Sequence, residues 1–332
     1  MGQAIPAGGS PVLERAMPSP AIPYGIIAEC FRTHTIIPFL GSAASFVGAP
    51  ADAALPSGKA FAQLLAEKSG YPGPVTDALT KVAQFLEEIP ADRTFLLDEV
   101  MSRFLLGVPA DYQSAFTEFL AHLPVEHMPR LFLTTNYDTL VERTLERRGL
   151  PYLAIAHVMR GSKYSGRLVC YDTLDCPLDE AAILPVRRLE EQLLDLETRK
   201  PSRIIIYKMH GTALLAGSAG MLDSVVLTEN DYIEFLAGDT FQKIPLTIVR
   251  ALRANRLLFL GYALEDWNFR VLLRRIAMLQ QQARAGQHRH WACTLNADDV
   301  ETKFWERRGV NLYNQSLEVF LDGLSTAIGG HP

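Results

Sequence analysis

Four short stretches combine small residues with groups that can donate, accept or carry a proton. They are Gly41-Ser42-Ala43-Ala44-Ser45, Thr134-Thr135-Asn136-Tyr137-Asp138, Lys208-Met209-His210-Gly211, and the run from Gly261 to Asp266. In the first, small side chains let backbone amides approach a phosphate, although a Gly here also suits a tight structural turn. The second offers Asn136 as a neutral donor and acceptor and Asp138 as a charge. Either could instead cap a following helix. In the third, His210 can titrate near neutral pH and act as a base, or serve as a plain hydrogen-bonding residue. Lys208 reads as a solvated charge or a neighbour of phosphate. The fourth pairs the close-approach turn at Gly261 and Tyr262 with Glu265 and Asp266, acids that also suit a helix start.

Each cluster follows an apolar run, and the runs alternate with stretches of helical periodicity. Strands are expected at the start of 34–45 and over 130–135, 152–156, 203–211, 256–260, 288–295 and 310–314. Helices are expected over 57–70, 75–88, 92–106, 111–123, 137–148, 186–199, 227–238, 240–255 with a kink at Pro245, 267–282, 298–308 and 316–327. The stretch 157–200 reads as irregular before its helix. Thr228 and Asp231 are spaced as a near capping box. The strand runs show no polar–apolar alternation, which fits a parallel sheet covered on both faces. The fold class is therefore α/β, a Rossmann-like parallel sheet with helices on both faces and a helical insertion. In such sheets ligands bind beyond the carboxyl ends of the strands, where the four clusters fall.

The sequence has 332 residues, 48% hydrophobic and 21% charged, enough for a substantial core and against global disorder. A formal net charge of -5 argues against nucleic-acid binding through bulk electrostatics. No apolar run reaches the roughly 18–20 residues of a membrane span. The N-terminal segment, rich in Pro and Gly, has neither a basic n-region nor an apolar h-region, and a cytoplasmic location is expected. Residues 1–25 read as a flexible arm, and 26–330 as one domain with its insertion over 71–128. Cys30, Cys170, Cys176 and Cys293 form no C-x2-C pair, so free thiols and no metal are expected.

The order of "FLGSAAS", "LPSGKAFAQLL", "LTTNYDTLVE", "YKMHGT", "VLTENDYIEFL" and "LFLGYALEDWNFRVLL" resembles the SIR2-like family of NAD-consuming domains, distant relatives of the sirtuin deacylases. The resemblance spans residues 34–275. It implies that NAD+ binds as substrate at the strand ends, with Asn136 near the nicotinamide ribose and His210 as the catalytic base. It also implies that Asp138 shapes the nicotinamide-side pocket, that Gly41, Ser42 and Ser45 form the phosphate loop, and that Gly261 forms the ribose and adenine-side turn. Thr135, Gly211 and Tyr262, inside the same motifs, join the cofactor-binding set.

Two departures stand out. The four-cysteine zinc ribbon of sirtuin deacylases has no counterpart among the cysteines, which weakens an acyl-lysine reading. Ala263 replaces a Ser common in relatives, removing a hydrogen bond worth about 0.5–1.5 kcal/mol. The resemblance thus implies an NAD+ glycohydrolase, the effector of an antiphage defence system, triggered in trans by a DNA translocase, a short Argonaute or a phage protein, or by homo-oligomerisation. The 57 residues beyond 275 leave little room for a sensor module. The alternatives are an NAD-dependent deacylase and a non-catalytic module that senses NAD or ADP-ribose.

Overall fold

The computed structural model describes residues 21–51, 55–74, 78–89, 92–159, 164, 166–175, 182–193, 196, 202–216, 223–237, 244–262, 274, 290–295 and 297–329. Among them are the strands β1 (Ile36–Leu40), β2 (Leu131–Thr134), β3 (Tyr152–His157), β4 (Leu168–Tyr171), β5 (Ile183–Leu184), β6 (Ile204–Lys208), β7 (Arg256–Leu260), β8 (His290–Thr294) and β9 (Val310–Asn314). They form one sheet in the order β5-β4-β3-β6-β2-β1-β7-β8-β9. From β3 to β9 every neighbouring pair is parallel. The chain leaves β1 toward β2 on one side and leaves β7 toward β8 on the other. That reversal makes the carboxyl ends of β1 and β7 the topological switch point, the place where open sheets of this kind bind ligands.

The strands carry apolar side chains on both faces, which is why the sequence shows no alternation. Ile37, Phe39, Leu131, Leu133, Ile205, Tyr207, Leu257 and Phe259 point to one core. Ile36, Leu40, Phe132, Ile206, Leu258 and Leu260 point to the other. The first core is covered by α8 (Val186–Leu193), α10 (Glu229–Ala237), α11 (Leu246–Ala254) and α12 (Asp299–Glu306). The second is covered by α1 (Tyr24–Arg32), α6 (Ala115–His122), α7 (Leu140–Arg147) and α13 (Leu317–Ile328). Burying a side chain such as Phe39 or Phe132 contributes roughly 1.5–3 kcal/mol.

Between β1 and β2 the chain builds a helical unit with its own core, after the short α2 (Ala43–Phe46). Phe61 and Leu65 of α3 (Gly58–Ser69) meet Val82 and Leu86 of α4 (Leu79–Glu88) and Leu96 and Val100 of α5 (Arg93–Met101). Local signals set its ends. Ser57 accepts the Ala60 amide at 3.2 Å, Asp92 accepts the Phe95 amide at 3.1 Å, and Gly70 closes α3 with φ 64°. This core also takes in Tyr137, Leu140, Ala213 of the short α9 (Ala213–Ala216), Val225 and Leu227, which lie within or near two of the polar clusters.

Several expectations need correction. The stretch after β3 is not merely irregular. It holds β4 and β5, an antiparallel edge in which Ala154 faces Tyr171 and Leu168 faces Leu184. Helix α1 begins inside the expected arm, at Tyr24. Pro245 stands at the N-cap of α11, ahead of Leu246, instead of kinking a helix, a place where its missing amide hydrogen costs no helical bond. The helix expected over 92–106 becomes a π-helix over Ser102–Leu106, and the one expected from 111 begins at Ala115. Residues 1–20, Cys176, the run Ala263–Asp266 and most of the helix expected over 267–282 lie outside the described residues. Cys30, Cys170 and Cys293 are buried free thiols. No helix of the described residues is long and apolar enough to cross a membrane.

Candidate functional site

Register places the clusters. Leu40 is paired with Thr134 on one side and Leu260 on the other, and Thr134 is paired with Lys208. The residues that follow these four therefore leave the sheet together at one edge. Asn136 and His210 occupy equivalent positions, each two residues past a paired strand end.

At the switch point the two turns lock together. The Ala43 amide donates to Gly261 O at 3.0 Å, and the Gly41 amide donates to Leu260 O at 2.9 Å. Gly261 has φ 76°, and a Cβ there would stand 2.2 Å from the Ala44 nitrogen. Only glycine fits that backbone. Gly261→Ala is therefore expected to destabilise the protein by at least roughly 1–3 kcal/mol from backbone strain alone, read as a lower urea midpoint. The amides of Ala44 and Ser45 turn back to Gly41 O and Ser42 O. The turn is thus no open fan of amides. Among the described residues it presents the N–H and hydroxyl of the exposed Ser42.

The Thr-Thr-Asn-Tyr-Asp cluster is a chain of directed hydrogen bonds. Gly41 O can only accept, so the Asn136 amide nitrogen faces it, at 2.9 Å, and also donates to Ser45 Oγ at 2.7 Å. Ser45 Oγ donates to Asp138 Oδ2 at 2.6 Å, and Asp138 Oδ1 accepts the Leu140 amide at 3.0 Å. Asp138 is buried, with both oxygens engaged, so it holds the first amide of α7 and braces Asn136 through Ser45. Helix α7 accordingly begins at Leu140, later than the sequence suggested. Asn136 Oδ1 has no partner among the described residues. Thr135 Oγ1 lies 3.0 Å from the Tyr262 hydroxyl, which itself donates to Leu40 O at 3.0 Å. Tyr262 thereby ties the β2 loop to the β7 turn.

His210 sits between the rings of Tyr232 and Phe235 in α10, edge-on to both, with Nδ1 3.5 Å from the Tyr232 hydroxyl. Burial pushes its pKa down to about 4, so the ring is neutral at neutral pH and can accept a proton. Gly211, φ 84°, lets the segment 223–228 lie against it, because a Cβ would stand 2.0 Å from Ser224 O. Its glycine serves packing.

Lys208 is neither solvated nor free. It is 1% exposed, and its Nζ lies 3.0 Å from Glu142 Oε1 and 2.5 Å from Asp138 O. The Tyr171 hydroxyl donates to the same Glu142 oxygen at 2.9 Å and reaches Thr212 Oγ1 at 3.4 Å. Burial first, and the Glu142 carboxylate, hold that phenol well above its ordinary pKa, so it remains a donor. This network joins the loops after β2 and β6 beneath a small cavity lined by Ser45, Thr134, Asn136, Asp138, Glu142 and Lys208. Glu142, Tyr171 and Arg93, described below, were not singled out in the sequence. The only local signal for Glu142 is a carboxylate on the apolar side of α7.

Among the described residues, no group of three or more His, Cys, Asp or Glu side chains could hold a metal ion. The sequence model of one family, described as the SIR2-like domain, matches residues 130–313. The match runs from the start of β2 to β9 and includes Asn136, His210 and Gly261, while the Gly41 turn precedes it. No curated protein matches the sequence.

Proposed function

Because the chain belongs to the SIR2-like family, we propose that it is an NAD+ hydrolase, releasing nicotinamide and ADP-ribose. The observation that carries this reading is the gathering, at one sheet edge, of the interlocked Gly41 and Gly261 turns, a braced Asn136 with an available Oδ1, and a neutral His210.

Water attacks C1′ of the nicotinamide ribose, the C1′–N bond breaks with its electron pair going to nicotinamide, and the ribose passes through an oxocarbenium-like state. His210 takes the proton from the attacking water. Asn136 Oδ1 accepts a hydrogen bond from a ribose hydroxyl or from that water, fixing the attack line. Ser42 offers its N–H and hydroxyl to the pyrophosphate. An enzyme that drains NAD+ must be restrained, and we take the restraint to be lifted by a partner protein in trans or by self-assembly, as in antiphage defence.

The test is to incubate the full chain with NAD+, with and without acetylated peptide, adding a DNA translocase, a short Argonaute or phage proteins as triggers. Free ADP-ribose without peptide is the expected product. Asn136→Ala should lower its rate by about 100-fold. Product only with peptide would mean deacylation, and binding without turnover under every trigger would mean a sensor. NAD+ consumption unchanged in Asn136→Ala would refute the site.

A further inference from the structure

A single guanidinium joins the helical unit to the surroundings of His210. Arg93, the first residue of α5, grips Asp223 with two nitrogens, Nε at 2.6 Å and Nη2 at 3.2 Å. Its Nη1 reaches Asp231 at 2.8 Å, and Nη2 also donates to Val225 O at 2.5 Å. The Asp223 and Asp231 side chains are 4% and 0% exposed, and that of Arg93 16%. One partly buried cation thus holds two buried carboxylates, a geometry the planar fork of arginine supplies and lysine does not.

The segment it grips lies across both loops of the site. Ser224 Oγ accepts the Thr212 amide at 3.1 Å, Val226 N donates to His210 O at 3.1 Å, and Val226 O accepts the Tyr137 hydroxyl at 2.6 Å. Thr228 and Asp231 close a reciprocal capping box at the start of α10, with bonds of 3.2 and 2.9 Å. Asp231 is therefore a helix cap and an Arg93 partner at once. Tyr232, the next residue, and Phe235, one turn on, face the imidazole from the same helix. Both rings pack edge-on against the imidazole, and the Tyr232 hydroxyl lies 3.5 Å from its Nδ1. A second bond, from Asn230 N to Gln84 Oε1 at 2.9 Å, ties α10 to α4.

We propose that Arg93 is a positioning residue for His210: from the helical unit it fixes the 223–231 segment, and through α10 it keeps the imidazole enclosed and aimed. The proposal rests on the reading of His210 as the base. It ties the helical unit to the surroundings of that base.

The test uses the full chain with carbon-13-labelled histidine, the His210 resonance being assigned by its loss in His210→Gln. In the wild type the ring should titrate far below the ordinary imidazole range. In Arg93→Lys, which keeps a charge but loses the fork, water reaches the ring and the midpoint should rise by about one unit or more. Arg93→Gln should move it further. Leu324→Ala, which opens a cavity in the opposite core, should lower stability and leave the titration in place. If Arg93→Gln does not fold, Asp223→Asn replaces it, with a smaller rise expected. On turnover, Arg93→Lys should reduce kcat by about tenfold with KM for NAD+ little changed. Folded Arg93→Lys and Asp223→Asn proteins with the wild-type midpoint would overturn the proposal. A wild-type protein that never consumes NAD+ would overturn the hydrolase reading alone, since the titration decides the role of Arg93 by itself.

Discussion

His210→Gln is expected to cut NAD+ turnover by about 10²–10⁴-fold in a protein that still folds, the range for loss of a positioned general base. Gln keeps a polar group beside Tyr232 and adds no charge to a buried place. The ring it replaces is neutral because burial lowers its pKa to about 4. That shift has a signed consequence for stability. Between the unfolded value near 6.5 and the folded value near 4, the unfolded chain binds a proton that the folded chain refuses. This contribution is therefore complete above the unfolded value and is lost as pH falls through the window, at up to roughly 1.4 kcal/mol per unit. His210→Gln removes it. Urea midpoints of wild type and variant should converge in relative terms as the pH is lowered from 7 to 4.5. Full turnover in His210→Gln would remove the base from the mechanism, and an unchanged pH dependence of the stability difference would contradict the buried, neutral ring.

Lys208→Met is expected to lower stability by about 3–5 kcal/mol, the cost of stranding a buried charge. Glu142 would keep the Tyr171 hydroxyl but lose its cation in a place 1% exposed. Asp138 O would lose a donor at the same stroke. Lys208→Met with Glu142→Met removes both charges and should recover much of the loss, because well-packed apolar replacements of buried pairs are often neutral. Recovery should stay incomplete, since Tyr171 and Asp138 O are each left short of a partner. Equilibrium unfolding in urea checks both. A Lys208→Met protein within about 0.5 kcal/mol of wild type would show that the pair is not closed off from water.

What the sequence made legible follows from range. The strand ends at 40, 134, 208 and 260 were readable because apolar runs stop at polar clusters, and the clusters share an edge because the strands are parallel. The capping box of Thr228 and Asp231 was readable because its partners stand three residues apart. Lys208 was misread because its partner Glu142 lies on another element, and a lysine in a loop-bound motif looks solvated until α7 is packed over it. The Arg93 clamp was invisible for the same reason, its partners Asp223 and Asp231 being remote in the chain. The strand β5 escaped because it has only two residues, too short for any apolar run to register. The small residues of Gly41 to Ser45 were legible as a close approach of backbone. That approach is to Gly261 and Tyr262, with Ser42 left exposed.

The ladder of β1 with β7 also bears on how the protein is made. Its register partners Leu40 and Leu260 are separated by most of the chain, and the first of them leaves the ribosome long before the second is translated. At about 5–20 residues per second, that interval is on the order of ten seconds or more. Throughout it β1 lacks its second neighbour and the Gly41 turn has no Gly261 to close against. A nascent chain can begin the core of its helical unit early, from contacts near in sequence, but Ala213, Val225 and Leu227 join that core later, and the two interlocked turns cannot close before Gly261 is made.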